Sequence, residues 1–140
     1  MTIYISGPMT GHPDNNMYAF QMAQTTLKEH GYNVLNPHEI AETVNIRFFE
    51  MGKVAKYEDY LKEDIIQMLT HADTVLVLPG WCNSKGAKLE VAVALACGIK
   101  VYFTMADALN DIVELKARFG QSMKVHEDKI GKNTVPSTEC

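Results

Sequence analysis

Two carboxylates stand in segments that otherwise have the pattern of helices packed against a sheet. Glu90 lies in SKGAKLEVAVALACG. At about 100° per residue it shares a side with the small residues Gly86 and Ala87, whereas Lys85 and Lys88 face the opposite side. A buried carboxylate without a partner is costly, so this acid must be paired, hydrogen-bonded or functional. Glu90 is therefore either a satisfied acid near a helix N-terminus or a group that takes part in chemistry.

Asp64 is the second carboxylate of this kind. In YEDYLKEDIIQMLTHAD it follows Leu61 by three residues and precedes Met68 by four, on a side shared with apolar positions. Taken alone, it is equally well explained as an ordinary acid on a mixed face. Its helix leads directly into the apolar run TVLVLPG. Two acids directed at one strand edge suggest paired-carboxylate chemistry, such as glycosyl transfer through a covalent intermediate.

The elements that position these acids alternate along the chain. TIYIS, YNVLNP, TVLVLPG and IKVYF are typical of strands, and segments with helical spacing separate and follow them. Residues 38–56 have no clear pattern, and we treat them as a lid or insertion. The alternation predicts an α/β fold: a Rossmann-like or flavodoxin-like parallel sheet of four to five strands with helices on both faces. We expect one domain over residues 1–120 and a polar C-terminal tail over 121–140.

Two glycine-bearing loops, SGPMTG and PGWCNSKG, follow the first strand and the apolar strand. Ligands of open parallel sheets bind at the carboxyl ends of strands, so the two loops are expected to converge on one pocket. Glycines let the backbone approach a ligand, although tight turns alone also explain them. SGPMTG is not the GxGxxG fingerprint, which disfavours a conventional NAD enzyme.

Composition and charge exclude several functional classes. The 140 residues carry a formal net charge of −4 and are 46% hydrophobic, as expected of a globular protein and not of a nucleic-acid polymer binder. The N-terminus lacks a signal-peptide pattern, and no run has the length of a membrane helix. With an odd number of cysteines and no CxxC spacing, the chain is expected to be cytoplasmic and away from membranes. The histidines lack metal-ligand spacing, so neither a metal nor a cofactor is expected.

Three segments, IYISGPMTG, YLKEDIIQMLTHADTVLVLPGW and NSKGAKLEVAVALACG, resemble the nucleoside 2-deoxyribosyltransferase superfamily. The chain is most similar to its DUF4406 branch and also resembles the 2′-deoxynucleoside 5′-phosphate N-hydrolases. The resemblance implies that Glu90 attacks C1′ of a (deoxy)ribosyl group. It further implies that Asp64 protonates the leaving base or orients the sugar, and that the Tyr4 hydroxyl holds the glutamate. The implied mechanism is a double displacement.

Position 84 bears on the substrate. In the transferases proper an aspartate precedes the nucleophile by six residues, whereas this chain has Ser84 and so resembles the nucleoside 5′-monophosphate N-glycosidases, whose serine binds the 5′-phosphate. Ser84 is equally suited to be only a helix N-cap. Those glycosidases also carry an arginine in the first loop, which SGPMTG lacks; Lys85 or Arg47 are the candidate substitutes. Trp81 is either a half-buried rim residue or a stacking partner for the base.

The expected function is hydrolysis of the N-glycosidic bond of (deoxy)nucleoside 5′-monophosphates through a glycosyl-Glu90 intermediate. The alternatives are base exchange between deoxynucleosides and non-catalytic binding or sequestration of a nucleotide. The resemblance also implies a homodimer or higher homo-oligomer with shared active sites, in which Asn110 would enter the neighbour's pocket. The expected substrate-binding residues are Ser6, Gly7, Pro8, Met9, Gly11, Gly80, Trp81, Ser84, Gly86, Ala87 and Asn110.

Overall fold

A four-stranded parallel sheet organises the protein in the computed structural model, which describes residues 1–118. In chain order the strands are β1 (Thr2–Ser6), β2 (Asn33–Leu35), β3 (Thr74–Val77) and β4 (Lys100–Tyr102), and their order across the sheet is β2-β1-β3-β4. All three pairings are parallel. This confirms the predicted α/β Rossmann-like fold. The predicted tail, residues 121–140, lies outside the described residues.

Five helices cover the two faces of the sheet. They are α1 (Met17–Glu29), α2 (Pro37–Glu50), α3 (Tyr57–His71), α4 (Lys85–Ala96) and α5 (Met105–Arg118). Side chains alternate along β1, so Ile3 and Ile5 pack in the core with α1 and α5, whereas Tyr4 packs in the core with α2, α3 and α4. The helices that carry Asp64 and Glu90 therefore lie on the same face as Tyr4.

The segment treated as a lid or insertion, residues 38–56, is mostly the regular helix α2. The Asn36 side chain accepts a hydrogen bond from the His38 backbone N–H at 2.9 Å, and Pro37 occupies the first helical turn, where a missing N–H costs nothing. Ile40 and Val44, one turn apart, are buried against the sheet. The sequence predicts only that Pro37 ends a strand. Asn36 and Pro37 end the segment YNVLNP and also begin α2, so the helix start is hidden by the strand end.

A short 3-10 helix, Pro13–Asn16, precedes α1. Asp14, Asn15 and Asn16 have left-handed φ values of 49°, 53° and 64°, a conformation that Asn and Asp adopt more readily than most residues. The Asn16 side-chain amide donates to the Pro8 carbonyl at 2.9 Å. This contact ties the segment to the glycine loop after β1 and places it beside the carboxyl edge of the sheet.

Candidate active site

A cavity of about 750 Å³ opens at the carboxyl edge of the sheet, between the loop after β1, helices α2 and α3, and the start of α4. The two glycine-bearing loops both contribute to its wall, as their positions in the sequence predicted. The expected site residues that line the cavity are Gly7, Met9, Asp64, Ser84, Gly86, Ala87 and Glu90.

Glu90 lies at the cavity with only 5% of its surface exposed, and it accepts two hydrogen bonds from hydroxyl groups of β1. The Tyr4 hydroxyl donates to Oε2 at 2.6 Å, and the Ser6 hydroxyl donates to Oε1 at 2.7 Å. Tyr4 and Ser6 are two residues apart on a strand, so their side chains project to the same face. Both are fully buried. Each carboxylate oxygen of Glu90 thus accepts a hydrogen bond from one neutral hydroxyl group.

Burial and hydrogen bonding act in opposite directions on Glu90. Burial raises the pKa of Glu90 above its ordinary value, while the hydrogen bonds from Tyr4 and Ser6 lower it in part. The pKa of Tyr4 is raised well above its ordinary value, by burial first and then by the negative charges of Glu90 and Asp64. Tyr4 therefore remains a phenol and a donor at neutral pH, and it stabilises the carboxylate form of its partner.

Asp64, on α3, is the second acid at the cavity and is only partly exposed. Burial raises its pKa to about 8, with further contributions from the negative charges of Glu90 and Glu63. At pH 7 this carboxyl group is therefore mainly protonated and can act as a proton donor. A hydrogen-bonded carboxylate beside a protonated carboxyl is the arrangement in which one acid attacks and the other donates a proton.

The start of α4 forms one end of the cavity. Ser84 is the N-cap of α4, since its Oγ accepts a hydrogen bond from the Ala87 N–H at 3.2 Å. Its own hydroxyl proton remains available to a ligand. Lys85 lines the cavity, whereas Arg47 pairs with Glu63 at 3.5 Å and does not line it. Of the two candidate substitutes for a phosphate-binding arginine, Lys85 is the one at the cavity.

Other expected substrate-binding residues lie outside the cavity wall. Trp81 is 8% exposed and packs against Phe103 in the core, with ring centroids 5.5 Å apart. Gly80 adopts a φ of 84°, which suits a glycine at this turn. Asn110 is exposed on α5. The remaining residues that do not line the cavity are Ser6, which contacts Glu90 from below, Pro8 and Gly11.

Several lining residues were missed at the level of sequence. Those on α2 went unnoticed because that helix was not recognised. On α3, Tyr57 and Tyr60 precede Asp64 by seven and four residues, so helical spacing alone places all three on one side. Given that Asp64 was a candidate site residue, this spacing could have identified Tyr57 and Tyr60 as candidates too. The missed lining residues are Thr10, Asn15, Pro37, His38, Ala41, Asn45, Tyr57, Tyr60, Leu61 and Asn83.

Within residues 1–118, no group of three or more His, Cys, Asp or Glu side chains is arranged to hold a metal ion. Over the same range, every helix is too short or too polar to cross a membrane. No curated protein and no solved structure matches the chain. A family model described as "Domain of unknown function (DUF4406)" matches residues 1–103, well over half of the chain. The protein therefore belongs to the DUF4406 family.

Proposed function

We propose that this protein is an N-glycosidase that hydrolyses the N-glycosidic bond of (deoxy)nucleoside 5′-monophosphates, with Glu90 as the nucleophile. The observation that carries the proposal is the Glu90 carboxylate, held by the hydroxyls of Tyr4 and Ser6 at a cavity that also contains Asp64. The resemblance of the surrounding segments to the nucleoside 2-deoxyribosyltransferase superfamily supports the same roles for Glu90, Asp64 and Tyr4.

In the first step, a Glu90 oxygen attacks C1′ and forms a glycosyl ester. The C1′–N bond breaks, its electron pair passes to the base nitrogen, and the proton of Asp64 neutralises the leaving base. A pKa of about 8 suits this role, because Asp64 holds a proton at neutral pH and gives it up readily. The free base then departs.

In the second step, water attacks C1′ of the ester. Asp64, now a carboxylate, takes a proton from the water, and the ester bond breaks to return the Glu90 carboxylate. The product is the pentose 5-phosphate. The hydroxyls of Tyr4 and Ser6 stabilise the carboxylate as it is released, because both hydrogen bonds strengthen as negative charge returns to Oε1 and Oε2.

The start of α4 supports a phosphorylated substrate. Ser84 offers a hydroxyl proton, and Lys85 brings a positive charge to a cavity whose other ionisable residues include two acids. An aspartate at position 84 would repel a phosphate, which serine does not. The cavity volume of about 750 Å³ falls within the range of about 300–1,000 Å³ usual for ligand pockets.

The proposal includes a homodimer or higher homo-oligomer with shared active sites. Ile66, Leu69 and Leu89, on the adjacent helices α3 and α4, are 54%, 42% and 43% exposed. Apolar side chains at this exposure on neighbouring helices are suited to an interface between subunits. Light scattering on the purified protein measures the assembly, and a monomer at micromolar concentration would contradict this part of the proposal.

Chromatography of the purified protein with nucleoside monophosphates and nucleosides, with and without an added free base, tests the reaction. We expect free base and pentose 5-phosphate from monophosphates alone, and no turnover by Glu90→Gln, which keeps the shape of the side chain but replaces one acceptor oxygen by an NH2 donor. Product formed only with an acceptor base would identify a base-exchange enzyme. Ligand-induced thermal stabilisation of the wild-type protein without turnover would identify a nucleotide-binding protein.

A further inference from the structure

The amide of Asn45 is held in one orientation by a neighbouring tyrosine. Asn45 lies on α2 and Tyr60 on α3, both line the cavity, and the Tyr60 hydroxyl donates a hydrogen bond to Asn45 Oδ1. The Asn45 Nδ2 group has no hydrogen-bond partner among residues 1–118. Because its oxygen is occupied, the amide presents N–H donors to the cavity.

The position of this amide follows from the geometry of α3. At a rise of 1.5 Å per residue, Tyr60 lies about 6 Å along the axis from Asp64 and about 4.5 Å from Tyr57. Asp64 lies at the end of the cavity where the reaction is proposed, since it is close enough to Glu90 for the charge of Glu90 to raise its pKa, after the effect of burial. Tyr57 marks the α4 end, since its hydroxyl lies 3.0 Å from the point where a Cβ on Gly86 would stand. The pair of Asn45 and Tyr60 is therefore intermediate between the two ends.

In the proposed function, the base leaves beside Asp64 and the 5′-phosphate lies at the start of α4. The pentose must then occupy the space between them. A pentose with its hydroxyls is comparable in width to one helical turn, about 5.4 Å, which matches the step from Asp64 to Tyr60. A hydroxyl oxygen is an acceptor that complements the unpartnered N–H donors of Asn45.

We propose that the Asn45 amide donates a hydrogen bond to a hydroxyl oxygen of the substrate's pentose, and that Tyr60 is the positioning residue for this amide. The inference rests on the proposed function. The Asn45 oxygen already accepts a hydrogen bond from Tyr60. When the sugar lacks the hydroxyl, the amide therefore cannot rotate its N–H groups away without breaking that bond. Asn45 is exposed in the free protein, so the selectivity arises on binding: a sugar without the hydroxyl covers the amide and offers it no acceptor.

A nearby contact supplies a matched control. Arg47, two residues after Asn45, pairs with Glu63 at 3.5 Å and also joins α2 to α3, but neither residue lines the cavity. Arg47→Gln therefore loosens the same pair of helices without removing a group that faces the ligand. Asn45→Leu removes the donor at similar size, and Tyr60→Phe removes only the hydroxyl that orients it.

The test measures binding of three sugar phosphates by calorimetry: ribose 5-phosphate, 2-deoxyribose 5-phosphate and 2,3-dideoxyribose 5-phosphate. In the wild-type protein we expect loss of one hydroxyl to weaken binding about tenfold, the effect of one hydrogen bond. The same deletion should have little further effect in Asn45→Leu or Tyr60→Phe, and the full effect in Arg47→Gln. Such a cycle isolates the contact between the amide and the hydroxyl.

Two results would overturn the inference, and they can be told apart. If Asn45→Leu weakens all three sugar phosphates equally, or if Arg47→Gln changes the selectivity as much as Asn45→Leu, the amide is a wall residue and only this inference fails. If the wild-type protein binds none of the three at millimolar concentration, the inference fails, and the proposed substrate class fails with it only if the protein also releases no base from nucleoside monophosphates.

Discussion

Replacing Asp64 by asparagine removes an acid that the fold holds protonated well above the pH at which a free carboxyl ionises. The pKa of Asp64 is about 8 in the folded protein, compared with about 3.9 in an unfolded chain. Between these values the folded state binds more protons than the unfolded state. The contribution of Asp64 to stability is therefore fully present below about pH 4 and declines as the pH rises towards 8.

The size of the effect follows from that difference in pKa. Within the window, the free energy of unfolding falls by at most about 1.4 kcal/mol per pH unit, or nearly 3 kcal/mol between pH 5 and pH 7. Asp64 is partly exposed, so solvent screens part of its interaction with Glu90. We therefore expect about 2 kcal/mol. Asparagine does not titrate, so Asp64→Asn should gain about this much relative to wild type over the same interval.

Urea denaturation of both proteins at pH 5, 6, 7 and 8 measures this difference. Glu42→Gln is the control, because Glu42 is exposed on α2 and does not line the cavity. This variant should follow the pH dependence of wild type, because it leaves Asp64 in place. A pH-independent difference for Asp64→Asn would refute the reasoning, since it would mean that Asp64 ionises at the same pH in the folded and unfolded states.

Ser6→Ala deletes one donor to the Glu90 carboxylate and should raise the pKa of Glu90, because the hydrogen bond from Ser6 lowers it; NMR titration of the labelled carboxyl would contradict this if the pKa did not move. Gly7→Ala should lower the free energy of unfolding by about 1–3 kcal/mol, because an added Cβ would lie 2.8 Å from Leu78 Cβ; unchanged stability in urea would count against the close packing of these two strand ends. If Asp64 is the proton donor, the turnover rate should fall about tenfold per pH unit above pH 8, and a rate profile that stays flat to pH 10 would exclude that role.

Much of the fold was predictable because its elements carry strong local signals. The apolar run before Leu78 predicts a strand covered on both faces, and the residues of β3 are indeed buried. The segment that carries Asp64 is a helix, Tyr57–His71, as its apolar spacing predicted. Helix α2 carries a weaker signal. Its buried positions, Pro37, Ile40 and Val44, do have helical spacing, but they are only three, and its cap overlaps the end of a strand.

The site was predictable where one element determines the direction of a side chain. The side of α4 that faces the sheet follows from the positions of its lysines, and Glu90 is buried there. Which groups meet a side chain from another element is a property of the packed fold. Asn45 and Tyr60 are 15 residues apart in sequence and lie on two different helices, neither of which alone indicates the contact between them.

The arrangement around Glu90 also bears on whether this acid is structural or functional. A buried structural carboxylate is commonly paired with a cation, yet the partners here are the hydroxyls of Tyr4 and Ser6. Neutral donors leave the negative charge in place and available to a ligand, whereas a salt bridge would neutralise it. Asp64, whose pKa is raised first by burial and then by that charge, retains a proton at neutral pH. In the proposed function, this one buried charge would serve both the nucleophile and the acid, a pairing that a purely structural glutamate does not require.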